Sequence, residues 1–166
     1  MGGIGKTTLA KLVYKDKRVK EHFDLQAWVC VSDEFDVLRV TKTLILEEVG
    51  LSTNADKNLN LLQFTLQDKL MGKKFLLVLD DEWYEDKAKC EVLSNPLKSG
   101  VQGSIVIVTT RNEGAASIMR TVPTHQLKKL GEENCWSLFA KHAFHDYNSN
   151  ECTELEVIGR QNCEKV

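Results

Sequence analysis

Apolar positions along this chain change period several times, and each change marks an element. Leu9, Leu12 and Val13 recur at helical spacing directly after a glycine-rich start, which predicts a helix. LQAWVCVS, Leu25 to Ser32, is rich in strand formers and reads as a buried strand. From Val37 to Val49 the helical period returns at Val37, Thr41, Leu44, Ile45 and Val49, with Gly50 as a stop. STNADKN, Ser52 to Asn58, is a polar loop. Leu59, Leu62, Leu66 and Leu70 then predict a second such helix, closed by Gly72.

FLLVLDD, Phe75 to Asp81, is a continuous apolar run ending in two carboxylates, the pattern of a parallel strand covered on both faces. A mixed stretch without a clear period follows up to Pro96. GSIVIVTTR, Gly103 to Arg111, repeats the apolar-strand pattern and ends in Thr109, Thr110 and Arg111. A short helix is expected over Glu113 to Met119, and HQLKKL, His125 to Leu130, is expected as one more strand. ENCWSLFAKHAF, Glu133 to Phe144, is amphipathic and helical, and a last helix begins near Thr153. Strands alternating with helices predict an α/β fold, a three-layer sandwich around a mostly parallel sheet. The alternation stops near Leu130, so the helical remainder is expected to belong to a second subdomain.

The opening GGIGKTT, Gly2 to Thr8, supplies what a phosphate cradle needs. Glycines let backbone N–H groups approach an anion closely, and the helix that follows aims its positive end at the same place. In the pattern G-x-x-x-x-G-K-[ST], Lys6 reaches the β- and γ-phosphates and the hydroxyl of Thr7 ligates Mg²⁺. Gly5 and Lys6 are in place, while the first glycine of the pattern falls one position before Met1.

LLVLD has the form of a Walker B strand, whose task is to bring a carboxylate beside that Mg²⁺. Asp80 is the candidate for the metal, and Asp81 for orienting or deprotonating an attacking water. Glu82 adds a third acid, and its like charge favours the protonated form of a neighbour. Arg111 ends the other strand. Ligands in parallel sheets sit off the carboxyl ends of the strands, so Arg111 is a candidate sensor of a terminal phosphate, with a surface ion pair as the alternative. A guanine-reading NKxD motif is absent, as is DxxG after the Walker B strand, and the chain leans toward adenine.

Composition narrows the class. The chain has 166 residues, one domain of ordinary size, with 42% hydrophobic and 28% charged residues, a soluble globular balance. A net charge of −2 gives no electrostatic case for nucleic-acid binding. Its apolar runs are too short to cross a membrane, and no signal peptide precedes the first motif. The five cysteines form no CxxC pair, which suggests a reduced, cytoplasmic chain with its thiols mostly in the core. Cys135, His142 and His145 have a conceivable metal spacing, but the two histidines read more simply as solvent-facing. Trp136, Phe139 and Phe144 read as core packing, and Trp28 and Trp83 as core or near-core aromatics.

Taken in order, MGGIGKTTLA, FDLQAWVCVSDEFD, FLLVLDDEW, GSIVIVTTR and LGEENCWSLFAKHAF closely resemble the NB-ARC nucleotide-binding domain of plant disease-resistance proteins. AWVCVS and Trp83 resemble the coiled-coil class of these leucine-rich-repeat receptors. The resemblance implies a P-loop NTPase domain over residues 1–130, cut at its start, and the beginning of a helical ARC subdomain over 131–166, cut at its end. It implies a molecular switch in the defence response. ADP is held at rest, exchange for ATP accompanies opening and self-association, and slow hydrolysis resets the state. Carried over, Gly2, Gly3, Ile4, Gly5, Lys6, Thr7 and Thr8 hold phosphates, Thr7 and Asp80 serve Mg²⁺, Asp81 is catalytic, and Arg111 is the sensor. Glu82 departs from the family, which has a valine-like residue there. The partners implied are the nucleotide and, in the parent, coiled-coil and leucine-rich-repeat domains. The family places a strand before the loop, beside the GSIVIVTT strand. Without it these residues alone are expected to fold poorly, bind nucleotide weakly and have little or no ATPase activity. The alternatives are another signal-transducing P-loop ATPase, such as a transcriptional regulator, and a non-catalytic interaction fragment.

Overall fold

The computed structural model describes residues 3–31, 36–49, 58–82 and 86–143. Residues 1–126 form one compact unit and residues 127–166 another. The first unit contains α1 (Lys6–Lys15), α2 (Lys17–Lys20), β1 (Leu25–Cys30), α3 (Val37–Val49), α4 (Leu59–Leu70), β2 (Phe75–Glu82), α5 (Lys87–Leu97), β3 (Ile105–Thr110) and α6 (Glu113–Met119). The second contains α7 (Glu132–Ala143).

The strands form a three-stranded sheet in the order β1-β2-β3. Both pairings are parallel, with Leu25 opposite Phe75 and Leu76 opposite Ile105. β2 is central, and every residue from Phe75 to Asp80 is buried. Alternation sends its side chains to opposite faces. Phe75, Leu77 and Leu79 join a core with Val40 and Leu44 of α3, Leu62, Leu66 and Leu70 of α4, and Leu93 of α5. Leu76 belongs to the other face, where it lines a groove with Val13 of α1 and with Ile105 and Ile107 of β3. A strand buried on both faces cannot alternate polar and apolar residues, which is why FLLVL is an unbroken apolar run. Buried Thr41 satisfies its hydroxyl within α3, donating to the Val37 carbonyl at 2.7 Å.

Short polar side chains fix the helix starts. Asn58, Asp86 and Asn112 each accept a backbone N–H of the first turn of α4, α5 and α6. Asp16 caps α2 and also takes the Arg18 side chain, which with the Arg18 amide holds its carboxyl at about 2, against the usual 3.8.

The helix α5 lies within the stretch that had no clear period. Pro96 sits in the last turn of α5. Proline lacks the N–H that would bond the carbonyl four residues back, at Val92. The side chain of Gln63 on α4 supplies that donor instead, at 2.8 Å.

Other expectations are corrected. Residues 125–130 form no strand. HQLKKL carries only two apolar side chains, and Leu130 is 56% exposed, too little burial to hold an edge strand. β1 ends at Cys30, short of Ser32, which lies outside the described residues with Trp83, Phe144, His145 and the helix expected near Thr153. Thiols are not mostly buried among the described residues: Cys90 is, but Cys135 is half-buried and Cys30 exposed. In α7, Trp136 and Phe139 rest on each other at 5.7 Å, and Phe139 stays 44% exposed rather than entering a core. Trp28 keeps the near-core place expected of it, half-buried and meeting Tyr14 edge to face at 5.5 Å. No helix among the described residues is long and apolar enough to cross a membrane.

Candidate functional site

The glycine-rich loop enters α1 through two left-handed residues, Gly3 at φ 72° and Gly5 at φ 89°. A Cβ at either position would meet nothing within 4 Å, so the backbone conformation, not space, demands glycine here. Gly5 is the N-cap of α1. It offers no side-chain acceptor, and the first turn holds no acidic residue. Helices normally satisfy their first N–H groups with a capping oxygen. This one brings its positive end to the loop without a carboxylate of its own, an arrangement suited to an anion. Ile4, Lys6 and Thr7 are half-buried and Thr8 is exposed, while Gly2 lies outside the described residues.

The loop and the end of β2 meet directly. The hydroxyl of Thr7 donates to Asp80 Oδ1 at 2.9 Å, across 73 residues of sequence. Asp80 is 5% exposed. Thr109, at the end of β3 and 7% exposed, donates to the same oxygen at 2.5 Å. Sequence reading gave Thr109 no role. It is one of two adjacent threonines, and only the strand register tells which one faces Asp80.

The next residue departs from regular strand geometry. Register shifts between Leu79 and Glu82, and Asp81 takes φ 60°. Its N–H donates to the Thr109 hydroxyl at 3.0 Å, and its Oδ1 lies 3.4 Å from Arg111 Nε. A left-handed non-glycine residue costs on the order of 1 kcal/mol. Those two contacts hold it there. Arg111 is thus off the carboxyl end of β3, on the same side as the loop, and takes part in an ion pair with Asp81. The site gathers Lys6, Thr7, Asp80, Asp81, Thr109 and Arg111 from α1, β2 and β3 with the turn that follows β3.

No group of three or more His, Cys, Asp or Glu that could by itself hold a metal ion occurs among the described residues, and His142 is exposed. Thr7 and Asp80 instead offer two hard oxygen donors already in contact. Such a pair fits Mg²⁺, which takes one or two protein oxygens and completes its shell with phosphate oxygens and water.

The sequence matches the family model described as NB-ARC domain over residues 1–149. The Solanum bulbocastanum protein "Disease resistance protein RGA2" is 44% identical over 162 residues, 97% of this chain and 16% of its own length. A second protein of that species, RGA1, is 42% identical over 162 residues, again 97% of this chain and 16% of its own length. The Arabidopsis thaliana RPP13-like protein 1 is 42% identical over 159 residues, 95% of this chain and 15% of its own length. The chain therefore spans about a sixth of the length of these curated relatives, each of which bears the name of a disease resistance protein. With a parallel α/β sheet, a glycine-rich loop entering a helix, and a family match over most of its length, the chain belongs to the NB-ARC family of nucleotide-binding domains.

Proposed function

We propose that this chain is the nucleotide-holding part of an ADP/ATP switch in a cytoplasmic plant immune receptor. The observation that carries the reading is the Thr7–Asp80 hydrogen bond, which joins the phosphate loop to the Walker B carboxylate. Gly2, Gly3, Ile4, Gly5, Thr7 and Thr8 present backbone N–H groups to the phosphates, and Lys6 adds a positive charge. Thr7 and Asp80 would hold Mg²⁺, which when bound neutralises phosphate charge. Asp81 accepts the proton of the attacking water. Arg111 reads the terminal phosphate. Its pair with Asp81 is 43% and 27% exposed on the two sides, and exposed pairs contribute at most about 1 kcal/mol. A terminal phosphate, with more charge and more acceptors, outcompetes Asp81 for the guanidinium. That exchange frees the carboxylate for the water when ATP is present. In the longer parent, coiled-coil and leucine-rich-repeat domains and self-association read out the state.

The test is Lys6→Ala in the natural full-length protein. A lost charge-assisted contact costs about 1.5–3 kcal/mol, so Kd for fluorescent ADP should rise roughly 10- to 150-fold. An unchanged Kd would remove the nucleotide from this loop.

A further inference from the structure

We infer that Thr109 is the positioning residue that sets both carboxylates of the site at once; this rests on the Mg²⁺–nucleotide reading above. The sheet register puts it there. β2 runs from Leu79 to Glu82 while β3 runs only from Val108 to Thr110, so β2 carries one extra residue at this point. Asp80 and Asp81 together stand opposite the single residue Thr109. A hydroxyl has one proton to give and lone pairs to accept with. Thr109 gives its proton to Asp80 Oδ1 and accepts the N–H of Asp81.

Each bond does separate work. The bond to Asp80, with the one from Thr7, places two donors on Oδ1. Neither bond uses Asp80 Oδ2, which is the natural ligand for a cation. The bond to Asp81 helps offset the cost, on the order of 1 kcal/mol, of a left-handed backbone at a residue with a Cβ. Remove the hydroxyl and the Asp80 carboxylate is freer to rotate, while Asp81 loses a constraint that keeps it within reach of Arg111. A threonine serves better than a serine only by packing. The role therefore belongs to the hydroxyl and not to the methyl.

The experiment compares Thr109→Val, which keeps the shape and removes the hydroxyl, with Thr109→Ser, which keeps the hydroxyl and removes the methyl. Fluorescent ADP binding to the natural full-length protein is titrated with Mg²⁺ and repeated in EDTA. Loss of a group that orients a metal ligand weakens metal affinity roughly 10- to 100-fold. Thr109→Val should raise the half-saturating Mg²⁺ concentration by that factor, while ADP binding in EDTA stays as in the unmodified protein. ATP turnover should fall in kcat with KM little changed. Thr109→Ser should restore the Mg²⁺ midpoint. A Val variant with an unaltered midpoint overturns the proposal, and so does a Ser variant whose midpoint is displaced as far as tenfold, even if the Val variant does not fold. If the unmodified protein itself shows no Mg²⁺-dependent binding, the nucleotide reading fails first, and the two failures are told apart.

Discussion

Asp81→Asn is expected to stop ATP hydrolysis while leaving nucleotide bound. Asparagine tolerates the left-handed conformation better than most residues, so φ 60° at this position is retained. The amide keeps the size of the side chain and removes both its basicity and its charge. A positioned general base contributes on the order of 10²- to 10⁴-fold. Single-turnover phosphate release should slow by that range. Asp81 makes no part of the phosphate cradle, so Kd for ADP should stay within a few-fold. The amide no longer competes as an anion for Arg111, and ATP should bind no more weakly than before. A receptor carrying this change should therefore accumulate in its ATP-bound state. Phosphate release at the unmodified rate would take hydrolysis away from Asp81.

The largest stability effect is expected inside the core. Leu66 on α4 is 1% exposed and packs in the cluster that joins α3, α4, α5 and β2. Truncation to alanine removes buried methyl groups and leaves a cavity, which costs about 2–5 kcal/mol. For a domain of this size that is a fall of roughly 5–20 °C in the melting temperature. Phe64 stands two positions earlier on the same helix and is 65% exposed. Phe64→Ala should change stability by about 0.5 kcal/mol or less despite the larger side chain. Comparable losses from the two variants would mean that α4 presents a different face to the sheet.

Much of the fold could be read from the chain because its signals are local. The period of Leu59, Leu62, Leu66 and Leu70 predicts which side of α4 is buried, and three of these four side chains are fully so. FLLVLDD announces a strand covered on both faces, and GKTT following glycines announces a loop entering a helix. What escaped reading depends on contacts distant in sequence. The helix α5 lies in the mixed stretch that runs up to Pro96, and the proline is tolerated because Gln63, on another helix, bonds the carbonyl it leaves open. HQLKKL is expected as one more strand, but a strand exists only where a partner supplies its hydrogen bonds, and residues 125–130 form none. The regular spacing of Leu9, Leu12 and Val13 gave α1 correctly, yet all three are exposed at 37% or more, since periodicity reports a face and not what covers it. In the site, the residue types of Lys6, Thr7, Asp80 and Arg111 point to phosphate chemistry on their own. The extra residue in β2, the left-handed Asp81 and the double bond of Thr109 have no signature in residue type, because aspartate does not advertise a positive φ as glycine does.

The most direct measurement of the central claim is equilibrium binding of ADP and of GDP to the natural full-length protein, with Mg²⁺ and with EDTA. Saturable ADP binding that tightens with Mg²⁺ is expected, with a GDP affinity at least about tenfold weaker, a difference of roughly 1.4 kcal/mol. Absence of saturable ADP binding, or equal affinity for GDP, would contradict that claim.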